Sequence, residues 1–120
     1  LLRMSQLIDD LKATRAELQS RGRITGHCTD RKGCVCLVGA AIAATDPERL
    51  HYGTRTNDVR EIPRAWAVVL ELHKQIEDRF ISEGLAVEYN VAAFNDAFMH
   101  NDDPVFDLVD DAIEAAEAAA

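Results

Sequence analysis

The sequence lacks the features that identify the common membrane-protein and enzyme classes. It has no apolar run of about 18 residues or more, the length that a membrane-crossing helix needs, and no signal-peptide-like segment near its start. It also has no glycine-rich phosphate loop, no dinucleotide fingerprint and no nucleic-acid-binding motif. We therefore expect a soluble cytoplasmic protein (the host cytoplasm, if a phage encodes it) that does not bind membranes, and the sequence predicts no cofactor.

Aromatic residues are also scarce. Only 6% of the 120 residues are aromatic, whereas alanine is abundant. This composition favours closely packed helices over a β-sandwich or a barrel. The length is typical of one domain with a single core, so we predict that residues 1–120 form a single helical domain.

The net charge of −8 is distributed unevenly along the chain. Residues 1–35 contain seven Lys or Arg and four Asp or Glu, whereas residues 65–120 contain two Lys or Arg and thirteen Asp or Glu. The acidic overall field repels nucleic acid and anionic membranes, so we expect no direct binding to nucleic acid. The basic N-terminal region is able to attract an acidic partner, although solvated helix faces would produce the same charge pattern.

Residues 34–44, CVCLVGAAIAA, organise the rest of the chain because they contain no charge. Small residues recur there at helical spacing, and the other positions are apolar too, which leaves no polar face. The small residues are Cys36, Gly39, Ala40 and Ala43. We predict a buried central helix over about 34–44 whose small face lets one neighbour approach closely.

Other segments show the apolar periodicity of helices, which predicts an all-α fold of four to five helices around 34–44. These segments are 2–21, 63–83, a short stretch within 85–99, and 104 to the end. Residues 23–37 form either a short β-hairpin or a plain loop. Residues 51–62 have no strong period, so they form a long connection or contain a short helical turn.

Two short motifs, and the helix that follows them, resemble a family of small uncharacterised proteins from actinobacteria and their phages. The motifs are Cys36-Leu37-Val38-Gly39-Ala40-Ala41 and Phe94-Asn95-Asp96, and the helix contains Val105 and Leu108-Val109-Asp110-Asp111-Ala112-Ile113. The family often has Trp at the position of Phe94, so an aromatic residue is retained. The resemblance implies a mostly helical single domain from a bacterial or phage genome, and it implies no activity.

The three cysteines lie within nine residues, and a histidine precedes them. Reduced thiols are expected because there is no secretory signal. His27, Cys28, Cys34 and Cys36 are residue types that bind tetrahedral zinc, but the usual spacing of two separated ligand pairs is absent. A redox pair such as Cys28–Cys34 is another interpretation. We favour a buried Cys36 with two loop thiols, and we assign no metal.

A cysteine nucleophile is the second chemistry that the composition allows. Cys36 lies near a predicted helix N-terminus, which favours the thiolate. His27, His51 or His100 would supply the base, and Asn95 or Asp96 the orienting group. Nothing distinguishes one histidine from the others, so we assign no catalytic residue. Asn95 and Asp96 are better explained as side chains that bind backbone groups at a helix end.

The sequence thus predicts a non-catalytic protein that binds another protein, either a host protein or a second copy of itself. The predicted contact surface is the basic loop with Arg21, Arg23, Arg31 and Lys32, or the irregular segment 51–62. One alternative is a cysteine-dependent enzyme or zinc-binding module centred on Cys36 and Asn95/Asp96. Another is an acidic inhibitor whose last helix mimics nucleic acid. The sequence does not indicate the oligomeric state.

Overall fold

A computed structural model describes residues 3–120 of the protein. This part of the chain contains helices and no β-strand, which confirms the predicted all-α class. The α-helices are α1 (Met4–Arg21), α2 (Leu37–Thr45), α3 (Pro63–Gln75), α4 (Val87–Ala97) and α5 (Asp103–Ala119). Short 3₁₀ helices at Pro47–Arg49, Thr56–Glu61 and Asp78–Phe80 lie in the connections. Within residues 3–120, no helix has both the length and the apolar character that crossing a membrane requires.

Helix α2 is the centre of the fold. Every residue from Leu37 to Ala43 is buried, and α1, α3 and α4 all pack against this helix. Helix α5 packs against α1 and α3 on the other side of the core. An apolar helix with no polar face is stable in water only when it is surrounded in this way, because each exposed face would leave apolar area in solvent.

The central helix begins at Leu37, three residues later than the predicted start. Cys36 is the N-cap residue and has an extended backbone with φ −86° and ψ −179°. Val35 precedes it in extended conformation and forms isolated bridges with Arg23 and Thr29. These two bridges replace the hairpin that was one of the two predictions for residues 23–37. A bend at Gly26, where φ is +84°, interrupts the pairing.

Helix α3 is shorter than predicted, because it ends at Gln75 instead of about residue 83. Ile76 is extended, with φ −73° and ψ 129°, and it is buried. The chain then turns so that the Phe80 ring reaches Phe94 and Phe98, with centroid distances of 5.1 and 5.7 Å. A straight continuation of α3 would carry Phe80 away from this aromatic cluster. The predicted start of α1 at residue 2 lies outside the described residues.

Helix α5 has the two faces that its sequence predicts. Its apolar stripe is buried against the core, and the acidic side chains lie on the exposed face. The buried residues are Val105, Leu108, Val109, Ala112 and Ala116, and the exposed acids are Asp107, Asp110, Asp111, Glu114 and Glu117.

Candidate functional site

The two irregular segments that the sequence offered as separate contact surfaces lie next to each other. The guanidinium of Arg31 lies over the ring of Tyr52, 5.0 Å from its centroid. Two open cavities adjoin here and share His27; one of them is also lined by Lys32, and the other by Arg55 and Tyr89. We call this surface the Tyr52 face. It consists of His27, Arg31, Lys32, Tyr52, Arg55 and Tyr89, all of which are exposed.

The Tyr52 face has three exposed positively charged side chains, Arg31, Lys32 and Arg55, and the carboxylates nearby are hydrogen-bonded to backbone groups. Asp30 Oδ1 accepts hydrogen bonds from the backbone N–H of Lys32 and Cys34, at 2.9 and 3.0 Å. Asp58 Oδ2 accepts one from the N–H of Arg55 at 2.9 Å. These carboxylates therefore order the loops, while the guanidinium and ammonium groups of the face lie in solvent.

The four predicted partner-binding residues do not lie together on one surface. Arg31 and Lys32 are on the Tyr52 face. Arg21 pairs with Glu17 on its own helix, with 2.6 Å between Nε and Oε2. The Arg23 side chain is only 1% exposed, so it is not available to a partner, and we remove it from the predicted surface.

Arg23 instead holds the end of α4 against the loop. Its Nη1 donates to the carbonyl oxygen of Asn95 at 2.7 Å, and its Nε donates to Asp102 Oδ1 at 2.8 Å. Its Nη2 donates to the carbonyl oxygen of Phe98. The last carbonyls of an α-helix have no partner within the helix, so a planar guanidinium with several donors fits this position.

Asn95 and Asp96 have the structural role that we favoured for them. Asn95 is fully buried; its Nδ2 donates to the carbonyl oxygen of Ile24 at 2.9 Å, and its Oδ1 accepts from the N–H of Leu37 at 3.3 Å. Asp96 Oδ1 accepts from the N–H of Gly26 at 3.0 Å. The pair thus connects α4 to the loop and to the first turn of α2.

Cys28 and Cys36 lie side by side, and each affects the acidity of the other. Cys36 is buried, and its Sγ accepts the N–H of Gly39 at 3.4 Å. The neighbouring Cys36 thiol stabilises the Cys28 thiolate, which lowers the pKa of Cys28. The same interaction, together with burial, raises the pKa of Cys36. Burial and a raised pKa both argue against the suggested role of Cys36 as a nucleophile.

The remaining elements of the predicted enzyme or zinc site are not assembled. His100 is exposed in the turn between α4 and α5, and the sulfur contacts of Cys28 and Cys36 involve no histidine. Across residues 3–120, no three His, Cys, Asp or Glu side chains lie close enough to hold a metal ion. His27, Cys28, Cys34 and Cys36 therefore do not form a tetrahedral ligand set in this structure.

Tyr89 is the member of the face that the sequence reasoning missed. It lies on α4, whose buried residues include Val91 and Phe94, and it is 43% exposed. The helical period places Tyr89 off this apolar stripe. The sequence could therefore have indicated that Tyr89 is an exposed aromatic residue. Only the tertiary structure shows that Tyr89 lies beside His27 and Arg55.

Comparisons with known proteins identify a family and no activity. A family model described as a family of unknown function, DUF6197, matches residues 3–115. The searches of curated proteins and of solved structures give no match.

Proposed function

The chain belongs to DUF6197, a family of unknown function, and we propose that it binds an acidic segment of another protein through the Tyr52 face. Membership of this family assigns no activity, so the proposal is based on the geometry of the face. We further propose that it is a small cytoplasmic accessory protein of bacterial or phage origin and that the partner is a host protein. The observation that carries the proposal is the exposed Arg31–Tyr52 pair, placed where two irregular segments meet.

The residue types of the face are those that contribute most to protein–protein affinity. Tyrosine and arginine are enriched among the residues whose truncation weakens complexes most. Tyr52 is 59% exposed although its ring is large, and Arg31 is placed over it. A stacked guanidinium loses less side-chain freedom on binding than a free one, which lowers the entropic cost of forming a complex.

The charge of the face specifies the chemistry of the partner. Arg31, Lys32 and Arg55 are exposed there, on a chain whose net charge is −8. These cations would attract an acidic segment to this face, whereas the acidic surface of α5 would repel it. The Tyr52 and Tyr89 rings would then provide apolar contact for the segment.

The arrangement supports binding better than cysteine catalysis. The nucleophile suggested by the sequence, Cys36, is buried and has a raised pKa. Its suggested partners Asn95 and Asp96 form hydrogen bonds with backbone groups. His51 Nδ1 accepts the N–H of Gly53 at 3.2 Å, so this ring nitrogen is also occupied by the backbone.

The proposal is tested by capture with matched variants. The full chain, immobilised, is incubated with actinobacterial lysate, and bound proteins are quantified by mass spectrometry for wild type and for Arg31→Ala/Tyr52→Ala. Arg79→Ala is the control, because Arg79 also lies over an aromatic ring, 4.8 Å from the Phe80 centroid, outside the Tyr52 face. We expect one protein whose recovery falls about tenfold or more with the double variant, equivalent to about 1.4 kcal/mol, and is unchanged with Arg79→Ala.

Two further measurements decide the chemistry of the interaction. Recovery of the partner should decrease as salt is raised, and crosslinks from the Tyr52 face should map to an acidic segment. An Asp111→Asn/Glu114→Gln variant tests the nucleic-acid-mimic alternative. If this variant loses the partner while Arg31→Ala/Tyr52→Ala retains it, the acidic face of α5 is the interface and the proposal is wrong.

A further inference from the structure

The backbone pairing around Thr29 and Val35 places Cys28 directly opposite Cys36. The two residues Thr29 and Val35 form an antiparallel bridge. The Cys36 N–H donates to the Cys28 carbonyl at 3.1 Å, and the Asp30 N–H donates to the Cys34 carbonyl at 3.2 Å. In this register Cys28 and Cys36 face each other at the end of the bridge and share one backbone hydrogen bond, whereas a complete hydrogen-bonded pair exchanges two and has Cα atoms about 5.5 Å apart. Disulfides need a Cα separation of about 4.4–6.8 Å, so this geometry fits one.

Glycine at position 39 makes this arrangement possible. A Cβ at Gly39 would lie 1.9 Å from the Cys28 carbonyl oxygen, so only glycine lets the loop contact the first turn of α2 here. The contact holds Cys28 beside the N-cap residue of α2, Cys36. The two thiols are therefore brought together by packing of the backbone and not by a flexible loop.

Cys28 and Cys36 are both only 3% exposed, but Cys28 lies at a surface cavity. Cys28 lines an open cavity of about 320 Å³ with Thr56, and its Sγ lies 3.9 Å from Thr56 Oγ1. Cys36 lies behind it, in the core, as the cap of α2. The difference in pKa has the same direction, because the Cys36 thiol stabilises a thiolate at Cys28.

We propose that Cys28 and Cys36 are a reversible dithiol–disulfide pair, in which a peroxide reaches Cys28 through the cavity beside Thr56 and Cys36 resolves the oxidised sulfur. The Cys28 thiolate attacks one oxygen of the peroxide; the O–O bond breaks, Cys28 becomes a sulfenic acid, and the other oxygen leaves as hydroxide and takes up a proton. The Cys36 sulfur then attacks the Cys28 sulfur, the S–O bond breaks, and water leaves with the Cys36 proton. With hydrogen peroxide as the oxidant, two thiols are oxidised to one disulfide and one molecule of hydrogen peroxide is reduced to two waters.

The position of Cys34 excludes it from the pair. The Cys28–Cys36 pair therefore replaces the Cys28–Cys34 pair that the sequence suggested. It faces Asp30 across the two segments. Its Sγ lies beside Gly22, 3.6 Å from the point that a Cβ at Gly22 would occupy. Cys34 is therefore a matched control within the same loop.

The test is peroxide titration of the full, reduced chain, with thiol counting and mass-spectrometric mapping of the linkage. We expect wild type and Cys34→Ser to lose two thiols and form a Cys28–Cys36 linkage that dithiothreitol reverses. Cys36→Ser, in which serine remains a good N-cap, should form no intramolecular disulfide and should instead accumulate a sulfenic acid at Cys28 that dimedone labels. Cys28→Ser should keep both remaining thiols at the peroxide concentration that oxidises wild type.

Other results would overturn the proposal. One such result is a wild-type disulfide that contains Cys34, and another is oxidation of Cys34 before Cys28. Either result would show that solvent exposure, and not the facing geometry, determines which thiol reacts. Retention of all three thiols at peroxide concentrations that oxidise a model dithiol peptide would show that the cavity gives no access. Circular dichroism of each variant tests whether it is folded. The disulfide mapping of the wild-type protein requires no substitution, so it does not depend on the folding of a variant.

Discussion

The α-carbon of Gly39 packs directly onto the carbonyl group of Cys28. A Cβ at position 39 would lie 1.9 Å from that oxygen and 2.8 Å from its carbon. Because both atoms belong to the backbone, no side-chain rotation can relieve the overlap. The stretch 34–44 was predicted to have a small face that lets one neighbour approach, and the neighbour at Gly39 is a loop backbone rather than a helix.

Gly39→Ala should therefore destabilise the protein strongly. Alanine usually stabilises a helix relative to glycine by about 1 kcal/mol, but overpacking against fixed atoms costs more. We expect a loss of about 3 kcal/mol in the free energy of unfolding, measured by urea denaturation. Gly53→Ala is the control, because its Cβ would lie 3.4 Å from the movable His51 ring. Equal stability of the two variants would contradict the close contact.

Arg23→Ala should destabilise the protein, whereas Arg31→Ala should not. Arg23 is buried and supplies hydrogen bonds to carbonyl groups at the end of α4, and each buried acceptor left without a donor costs about 1–3 kcal/mol. We expect a loss of about 3 kcal/mol for Arg23→Ala and less than about 1 kcal/mol for Arg31→Ala, whose ring contact is exposed.

Arg23→Lys separates charge from geometry at the same position. Lysine keeps the positive charge but lacks the planar arrangement of donors. If the directed hydrogen bonds to the Asn95 and Phe98 carbonyls provide the stabilisation, the stability of Arg23→Lys should fall close to that of Arg23→Ala. Wild-type stability for Arg23→Lys in thermal and urea unfolding would show instead that charge alone is sufficient.

The helices could be predicted from the sequence because their signals are local. The apolar period of α5 and the lack of any polar face on α2 each lie within one segment, and both were confirmed. The early end of α3 was missed because Phe80 packs against Phe94 and Phe98, which lie in and just after another helix, α4. Pro63 at the start of α3 was a local signal, and no such signal marks Gln75 as the end.

The candidate site was less predictable for the same reason. Arg23 and Arg31 look alike in a polar loop, yet Arg23 meets Phe98 and Asp102, 75 and 79 positions away. Likewise, nothing near Tyr52 in the chain shows that Arg31 lies over its ring. Long-range packing separates buried arginine from exposed arginine, and a single sequence does not contain that information.

Arg60→Ala should destabilise the protein more than Arg49→Ala. Glu88 is fully buried, and both of its carboxylate oxygens accept hydrogen bonds from Arg60, which also lies over the Trp66 ring. Removing one partner of a buried pair leaves an unpaired charge, at a cost of about 3–5 kcal/mol when both groups are buried. Arg60 is half exposed, so water reaches one side of the pair, and the loss should be smaller than this but clearly larger than the loss for Arg49→Ala.

Arg49→Ala is the matched control for this ion pair. Arg49 pairs with Glu61 at 3.2 Å, and both side chains are exposed, so the loss should be below about 1 kcal/mol. The measurement is urea unfolding at neutral pH for both variants. Losses of similar size would show that Glu88 becomes solvated as easily as Glu61 when its partner is removed.

Alkylation of Cys28 should reach half of its maximal rate at a lower pH than alkylation of a cysteine in an unfolded peptide. The neighbouring Cys36 thiol lowers the pKa of Cys28, and the thiolate is the form that reacts. The reactive fraction therefore rises earlier on the pH axis, below the usual thiol value of about 8.5, although burial slows the absolute rate. Cys36 has a raised pKa, so its labelling should begin only at higher pH.

The measurement is peptide-resolved iodoacetamide labelling across pH. In Cys36→Ser, whose hydroxyl is retained as a donor, the Cys28 midpoint should stay below that of the peptide, and Cys36→Ala should move it upward. A wild-type midpoint above that of the peptide would mean that desolvation of Cys28 outweighs the effect of the Cys36 thiol.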